Sequence, residues 1–304
     1  MKLLKKKYLV WFNFVVFGFL IWFVWENLES FNLLYELQWW AFLGIAVLNV
    51  FSIYLNGCFL RIVVKPFKVS LPEHFWLSAY AGFLNLILPL RGSVGFRAIY
   101  MKKRHKLSYS AFISTFFGNY VIIFLISSAL ALVLMAYFYY TMGYLSYLLL
   151  AFFLVLFLGN IWLALTNFRF KKENVITSKI NSVTDGWREI IATKGLVRQL
   201  CYIVVLNIIL NAGMNKFAFL SLGIDVSILQ LLFLTTMYVL VVFVNFTPGA
   251  LGILELVYYF SAEILLVDPT AAVFASLLIR VVNFLVLLVL GLYANRRLFP
   301  KSPK

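Results

Sequence analysis

AFISTFFGNYVIIFLISSALALVLMAY, residues 111–137, runs from end to end without a charged side chain. A helix needs about 20 predominantly apolar residues to cross the hydrocarbon core of a bilayer. Comparable runs lie at 8–25 and 38–60, in the segment returning to about 166, and at 197–220 and 271–294. Hydrophobic residues make up 64% of the 304 positions and charged residues 12%, which leaves too little polar surface to cover a water-soluble domain. The sequence therefore reads as all-α: a polytopic integral membrane helical bundle, with one membrane domain over 1–304.

The net charge of +15 is carried in short segments between the apolar runs. Arg61, Lys65 and Lys68 follow the second run, and Arg296, Arg297 and Lys301 follow the last, whereas Glu26, Glu29 and Glu36 follow the first with no Lys or Arg among them. By the positive-inside rule both termini are cytoplasmic, in an inner or plasma cell membrane. Basic loops so placed attract anionic lipid headgroups, so the charge points to membrane lipid and not to nucleic acid. MKLLKKK at the N-terminus resembles the start of a signal peptide, but no small-residue cleavage site follows Trp22, Val24 and Trp25, so the first run is expected to be retained.

Two apolar stretches do not fit simple crossings. Residues 75–90 have basic residues on both flanks, so this stretch is expected to enter and leave on one side as a re-entrant hairpin. Such backbone survives at membrane depth only beside protein or a polar cavity. Residues 226–244 and 250–267 are joined by VNFTPGALG inside a stretch with no positive charge between Lys216 and Arg280. They form a second hairpin entering from outside, or two further crossings. The expectation is six full spans with two oppositely oriented re-entrant hairpins, or eight spans if the second hairpin crosses. Asn85, Pro89, Gly92 and Gly95 in the first turn echo Asn245, Pro248, Gly249 and Gly252 in the second, which suggests an inverted repeat. At about 174–195, apolar residues at helical spacing among Lys179, Arg188 and Lys194 read as a cytoplasmic amphipathic segment. It lies either on the inner leaflet or against the protein's own loops.

Candidate site residues follow from polarity inside these runs. Arg280, in the last span, needs a partner or a water-filled cavity, and Glu255 and Glu263 are the carboxylates available; the pair is either a structural lock or part of a site. Arg91 and Arg97 bracket GSVGF, a turn containing Gly92, Ser93 and Gly95, and arginine suits phosphate because its planar fork bonds two oxygens. Both are otherwise ordinary inside-facing charges. Asn207, Asn211 and Asn215 make a polar stripe that either bonds neighbouring helices or lines a path. Asn119, Asn160 and Asn283 add further amides. Cys58 and Cys201 read as packing residues. His74 and His105 stand isolated, and neither a metal-ligand cluster, a nucleophile with its base, nor a nucleotide-binding signature occurs, so no cofactor, metal or enzyme activity is expected.

LPLRGSVGFRAIYMKKRHKLSYSAF (88–112), TPGALGILE (247–255) and the Arg280 of LLIRVVNF (277–284) together resemble signatures of the flippase-like family named for the transmembrane region of lysylphosphatidylglycerol synthases. The resemblance implies motif roles for Pro89, Arg91, Gly92, Gly95 and Arg97, for Pro248, Gly249, Gly252 and Glu255, and for Arg280. Many members carry an acidic residue after the first turn's glycine; Ser93 and Val94 stand there, so no role of that carboxylate carries over. The aminoacyl-transferring domain of the synthases is not expected, since the chain ends at Lys304 just after the last span. What the resemblance implies is a flippase or scramblase-like transporter for a phospholipid or polyprenyl-phosphate-linked glycolipid with an anionic headgroup. Arg91, Arg97 and Arg280 would hold phosphate, and Glu255 would neutralise Arg280 or take a coupling cation or proton. Two alternatives stand beside it: a non-transporting lipid-binding partner of a glycosyltransferase or other lipid-modifying enzyme, and an intramembrane enzyme acting on a lipid headgroup.

Overall fold

The computed structural model describes residues 38–64, 69–87, 92–143, 145–166, 174–244, 250 and 252–299. The apolar run at 8–25 and the motif positions Pro89, Arg91, Asn245, Pro248 and Gly249 lie outside the described residues. Among those described are ten α-helices: α1 (Trp39–Val63), α2 (Leu71–Ile87), α3 (Gly92–His105), α4 (Tyr109–Met142), α5 (Tyr147–Leu165), α6 (Val175–Ala192), α7 (Leu196–Ser221), α8 (Ile228–Val244), α9 (Ile253–Leu265) and α10 (Pro269–Leu298). Five are long and apolar enough to cross a membrane: α1, α4 over Gly118–Met142, α5, α7 and α10. They coincide with apolar runs of the sequence. α8 and α9 are shorter, 17 and 13 residues, and flank the TPG turn.

Each helix end leaves backbone groups unpaired, and in lipid no water satisfies them, so local chemistry decides where helices start and stop. Ser227 and Gln230 cap α8 reciprocally: the Gln230 N–H donates to Ser227 Oγ at 3.4 Å and the Ser227 N–H to Gln230 Oε1 at 3.2 Å. Gln230 Nε2 also donates to the Ile264 carbonyl at 2.9 Å, tying the start of α8 to the end of α9. Asp268 Oδ1 accepts the Thr270 and Ala271 N–H groups at 2.8 and 3.2 Å, and Pro269, first in α10, has no N–H to leave unpaired. α7 stops at Gly223, whose φ of +74° a side chain would disfavour, and the Ile224 N–H folds back to the Phe219 carbonyl at 3.0 Å.

The chain forms two compact units, whose boundaries fall within α1, α2, α3, α7 and α10. The described part of the first comprises 38–50, 82–87, 92, 210–244, 250 and 252–289. Its core is built on Ile45, Ala212, Phe219, Tyr258, Ala272 and Ala275, all fully buried. Small residues bring its helices close: a Cβ on Gly44 would lie 2.8 Å from the Phe217 ring, and one on Gly82 would lie 2.7 Å from Leu287. Asn49 Nδ2 donates to Asn283 Oδ1 at 3.1 Å across α1 and α10.

The second unit comprises Phe51–Ala81, Ser93–Ile209 and the end of α10, within the described residues. Here α6 packs along α4, with Thr184, Trp187 and Ile190 buried. Trp187 Nε1 donates to the Ala164 carbonyl at 3.2 Å. The amphipathic segment thus takes up contact with the protein itself, while Ile191 stays half-exposed. The closest approach is at Gly118, where a Cβ would come within 2.4 Å of the Gly186 backbone.

At the paired ends of α2 and α3, Glu73 Oε1 accepts from the Tyr100 hydroxyl at 2.7 Å, lies 2.9 Å from His105 Nε2 and stands 3.7 Å from Arg104 Nε. Burial raises the Glu73 carboxyl, but the bonds from Tyr100 and His105, with the charges of His105 and Arg104, outweigh it and hold the group below the usual carboxylate range. The sequence reading of His105 as isolated is corrected: a carboxylate 32 positions away in the chain comes to it. His74, beside Glu73, is 1% exposed and neither ring nitrogen has a hydrogen-bond partner. Burial pushes its pKa down to about 4, against the pull of Glu73.

Two predictions follow from this packing. Gly118→Leu must push α6 from α4 and should cost about 1–3 kcal/mol, whereas Gly159→Leu, where a Cβ meets nothing within 4 Å, should leave the thermal midpoint in detergent unchanged. For pH, His74 takes up a proton at its ordinary 6.5 when unfolded but only at about 4 when folded. The unfolded chain therefore binds more protons across that window, and stability must fall as pH drops from 6.5 to 4, with protonation of Glu73 adding to the loss in acid. Thermal unfolding across the window should show this slope, and His74→Leu should flatten it; an unchanged slope refutes the assignment.

Candidate functional site

In the first unit the candidate residues converge on the start of α9. Glu255 is third in the sequence of that helix, at the end where free N–H groups and the positive pole of the helix favour a carboxylate. Its Oε2 accepts the Gly252 N–H at 2.7 Å, and Gly252 adopts a φ of +83°, open to glycine and strained for most other residues. Its Oε1 accepts from Arg280 Nε at 2.8 Å. Arg280 Nη2 also donates to the Ala250 carbonyl at 3.3 Å. Glu255 is fully buried, and the Arg280 side chain is 18% exposed. Of the two carboxylates available to Arg280 in the sequence, the fold selects Glu255; Glu263 is exposed.

One turn along α9, Tyr258 extends the polar cluster. Its hydroxyl donates to Asn215 Oδ1 and lies 2.6 Å from the Tyr238 hydroxyl. Asn215 Nδ2 donates to the Tyr238 hydroxyl at 3.1 Å and to Thr235 Oγ1 at 3.5 Å. Asn215, Tyr258 and Thr235 are buried, and the two phenol rings stack. The tyrosines were not among the candidates, although Tyr258, three residues after Glu255, shares a helix face with it. Near the start of the α8 cap, Lys216 pairs with Asp225 and donates to the Val226 carbonyl at 2.8 Å.

The asparagines of α7 divide between the units. Asn215 serves the cluster just described, Asn207 Oδ1 accepts from Ser52 Oγ at 3.2 Å in the second unit, and Asn211 is half-buried on the same helix. Asn207 and Asn215 therefore bond neighbouring helices, the commoner of the two uses read from the stripe. Asn283 accepts from Asn49, and Asn160 Nδ2 donates to the Leu156 carbonyl of its own helix at 2.7 Å. Asn85 is half-buried on α2, with Oδ1 unpartnered.

The first turn's residues sit differently. Gly92 opens α3, Ser93 is 2% exposed, and Gly95 is exposed with open space where a side chain would be. Arg97 lies four residues after Ser93, on the same face of α3, and its Nε is buried without a hydrogen-bond partner. Asn119 on α4, in the same unit, is 6% exposed with Oδ1 likewise unpartnered. Among the described residues no three His, Cys, Asp or Glu side chains stand together as metal ligands, and Cys58 and Cys201 are free thiols.

The first unit thus holds a neutralised internal ion pair, and the second holds an arginine whose Nε has no hydrogen-bond partner among the described residues. No curated protein and no solved structure matches the chain. A family model, that of the lysylphosphatidylglycerol synthase TM region, matches residues 10–291, which takes in nearly all the apolar runs and both glycine-containing turns. The protein is thus an integral membrane protein and belongs to the family of the lysylphosphatidylglycerol synthase TM region.

Proposed function

We propose that this protein moves a membrane lipid with an anionic headgroup between the leaflets of the cell membrane. The observation that carries the reading is the Glu255–Arg280 pair, an ionised contact held inside apolar helices at the start of a short helix. Ionisable residues at such depth mark substrate or ion pathways more than they mark stability, because removing two charges from water costs as much as their attraction returns. Membership of a family named for a lipid-modifying synthase supports lipid as the cargo.

In this reading α2–α3 and α8–α9 are the arms of two re-entrant hairpins that enter from opposite faces as an inverted repeat, with both termini cytoplasmic. Interrupted helices in matching places let polar groups meet near the middle of the bilayer. Glu255 neutralises Arg280 in the empty protein, and its second oxygen satisfies the Gly252 N–H that the helix start would otherwise leave unpaired. A pair without net charge borders the route of an anionic headgroup without trapping it. The lipid crosses chemically unchanged.

Transport of a labelled anionic phospholipid in liposomes tests this. Glu255→Gln and Arg280→Ala should each lower the flipping rate at least about tenfold, the loss expected when a charge-assisted bond is removed. Each single change should also destabilise the fold by about 3–5 kcal/mol by leaving one buried charge alone. The double variant Glu255→Gln/Arg280→Gln should recover stability without recovering transport. Unchanged flipping in both single variants sinks the site assignment. Lipid retained by the wild-type protein with no transbilayer movement assigns it instead as a non-transporting partner of a lipid-modifying enzyme.

A further inference from the structure

Buried polar groups in folded proteins nearly always find partners, and those that do not call for a water, an ion or a ligand. Among the described residues, the buried side-chain atoms without a partner are His74 Nδ1 and Nε2, Ser78 Oγ, Asn85 Oδ1, Arg97 Nε and Asn119 Oδ1. They fall on α2, α3 and α4, and none on α8, α9 or α10, where Gln230, Glu255 and Arg280 have named partners. Among the described residues the two sets therefore differ: Gln230, Glu255 and Arg280 are bonded, whereas Arg97 Nε on α3 and its neighbours on α2 and α4 are not.

Arg97 is the one charged member of the open set. No described carboxylate forms an ion pair with it; Glu73 is engaged by Tyr100, His105 and Arg104, and Asp185 pairs with Arg188. A guanidinium is ionised in any ordinary protein setting, so it cannot shed its charge as a buried lysine or carboxyl does. Ser93 stands one turn earlier on the same face, at the N-terminal end of α3, where backbone N–H groups lack helical acceptors. Gly95, also in that first turn, leaves open space beside it. A hydroxyl, a helix start and an arginine fork in one row suit an anion with several oxygens on one centre.

We infer that Ser93, Arg97 and the first turn of α3 form a binding site for a single phosphate anion, and that Arg97, not the already neutralised Arg280, supplies the charge that holds it. An Arg97 with no ion-pair partner among the described residues matches one negative charge. Phosphatidylglycerol, with an unbalanced phosphodiester, fits better than phosphatidylcholine, whose phosphate is balanced by its own choline. That the phosphate belongs to a lipid rests on the transport reading above; that the site takes a phosphate does not.

The test uses the full chain in nanodiscs of phosphatidylcholine containing phosphatidylglycerol, with native mass spectrometry of retained lipid and a parallel arm with inorganic phosphate. The wild-type protein should enrich phosphatidylglycerol, and Arg97→Gln should lower the enrichment at least about tenfold, with Arg97→Lys between them. Lys103→Gln, an exposed charge on the same helix, should leave it unchanged. Phosphate bound through Arg97 without lipid enrichment upholds the site and assigns it to the free ion. Equal enrichment in wild type, Arg97→Gln and Arg97→Lys overturns it, as does a loss in Lys103→Gln matching that in Arg97→Gln, which marks general surface attraction. If lipid binds through Arg97 but none is flipped, the site stands and the transport reading falls; if flipping occurs and Arg97→Gln changes neither it nor the enrichment, the reverse holds.

Discussion

Hydrocarbon offers neither donors nor acceptors, so every polar group that enters a bilayer brings its partner with it or is left costly and alone. That constraint explains why the end of α7 and the starts of α8, α9 and α10 are closed by nearby residues. It also explains why a glutamate sits at the third position of a thirteen-residue helix. Glu255 satisfies three needs at once: the free N–H of Gly252, the positive end of α9 and the charge of Arg280. A break in a helix, a glycine at φ +83° and a buried arginine are each unfavourable in lipid. Joined through one carboxylate they are tolerated.

The same constraint gives meaning to the contrast between the two glycine-containing motifs. Around α8 and α9 the network from Thr235 through Asn215, Tyr238 and Tyr258 is bonded throughout, and such closed networks rigidify what they join. Around α2 and α3 the unpartnered atoms of His74, Ser78 and Arg97 lie on helices held at their paired ends by Glu73. The contact at Gly118 adds rigidity of another kind, since backbones that meet directly leave no side chain to rearrange.

Much of this was written in the sequence. The apolar runs placed α1, α4, α5, α7 and α10 to within a few residues, because length and uninterrupted hydropathy are sufficient to specify a helix long enough to cross. Arg280 stood out because arginine in an apolar run has few harmless explanations.

Sequence alone could not choose between Glu255 and Glu263 as the partner of Arg280, since both lie on α9 and spacing says nothing about which faces α10. Only packing buried one and exposed the other. Nor could it bring Glu73 to His105 or Tyr258 to Asn215, because these contacts join helices far apart in the chain and a lone tyrosine or histidine carries no periodic signal. The sequence by itself determined that this chain lives in lipid and where its helices run, for those depend on local composition. The tertiary structure decided which polar groups are satisfied and which remain open, for that depends on what each helix meets.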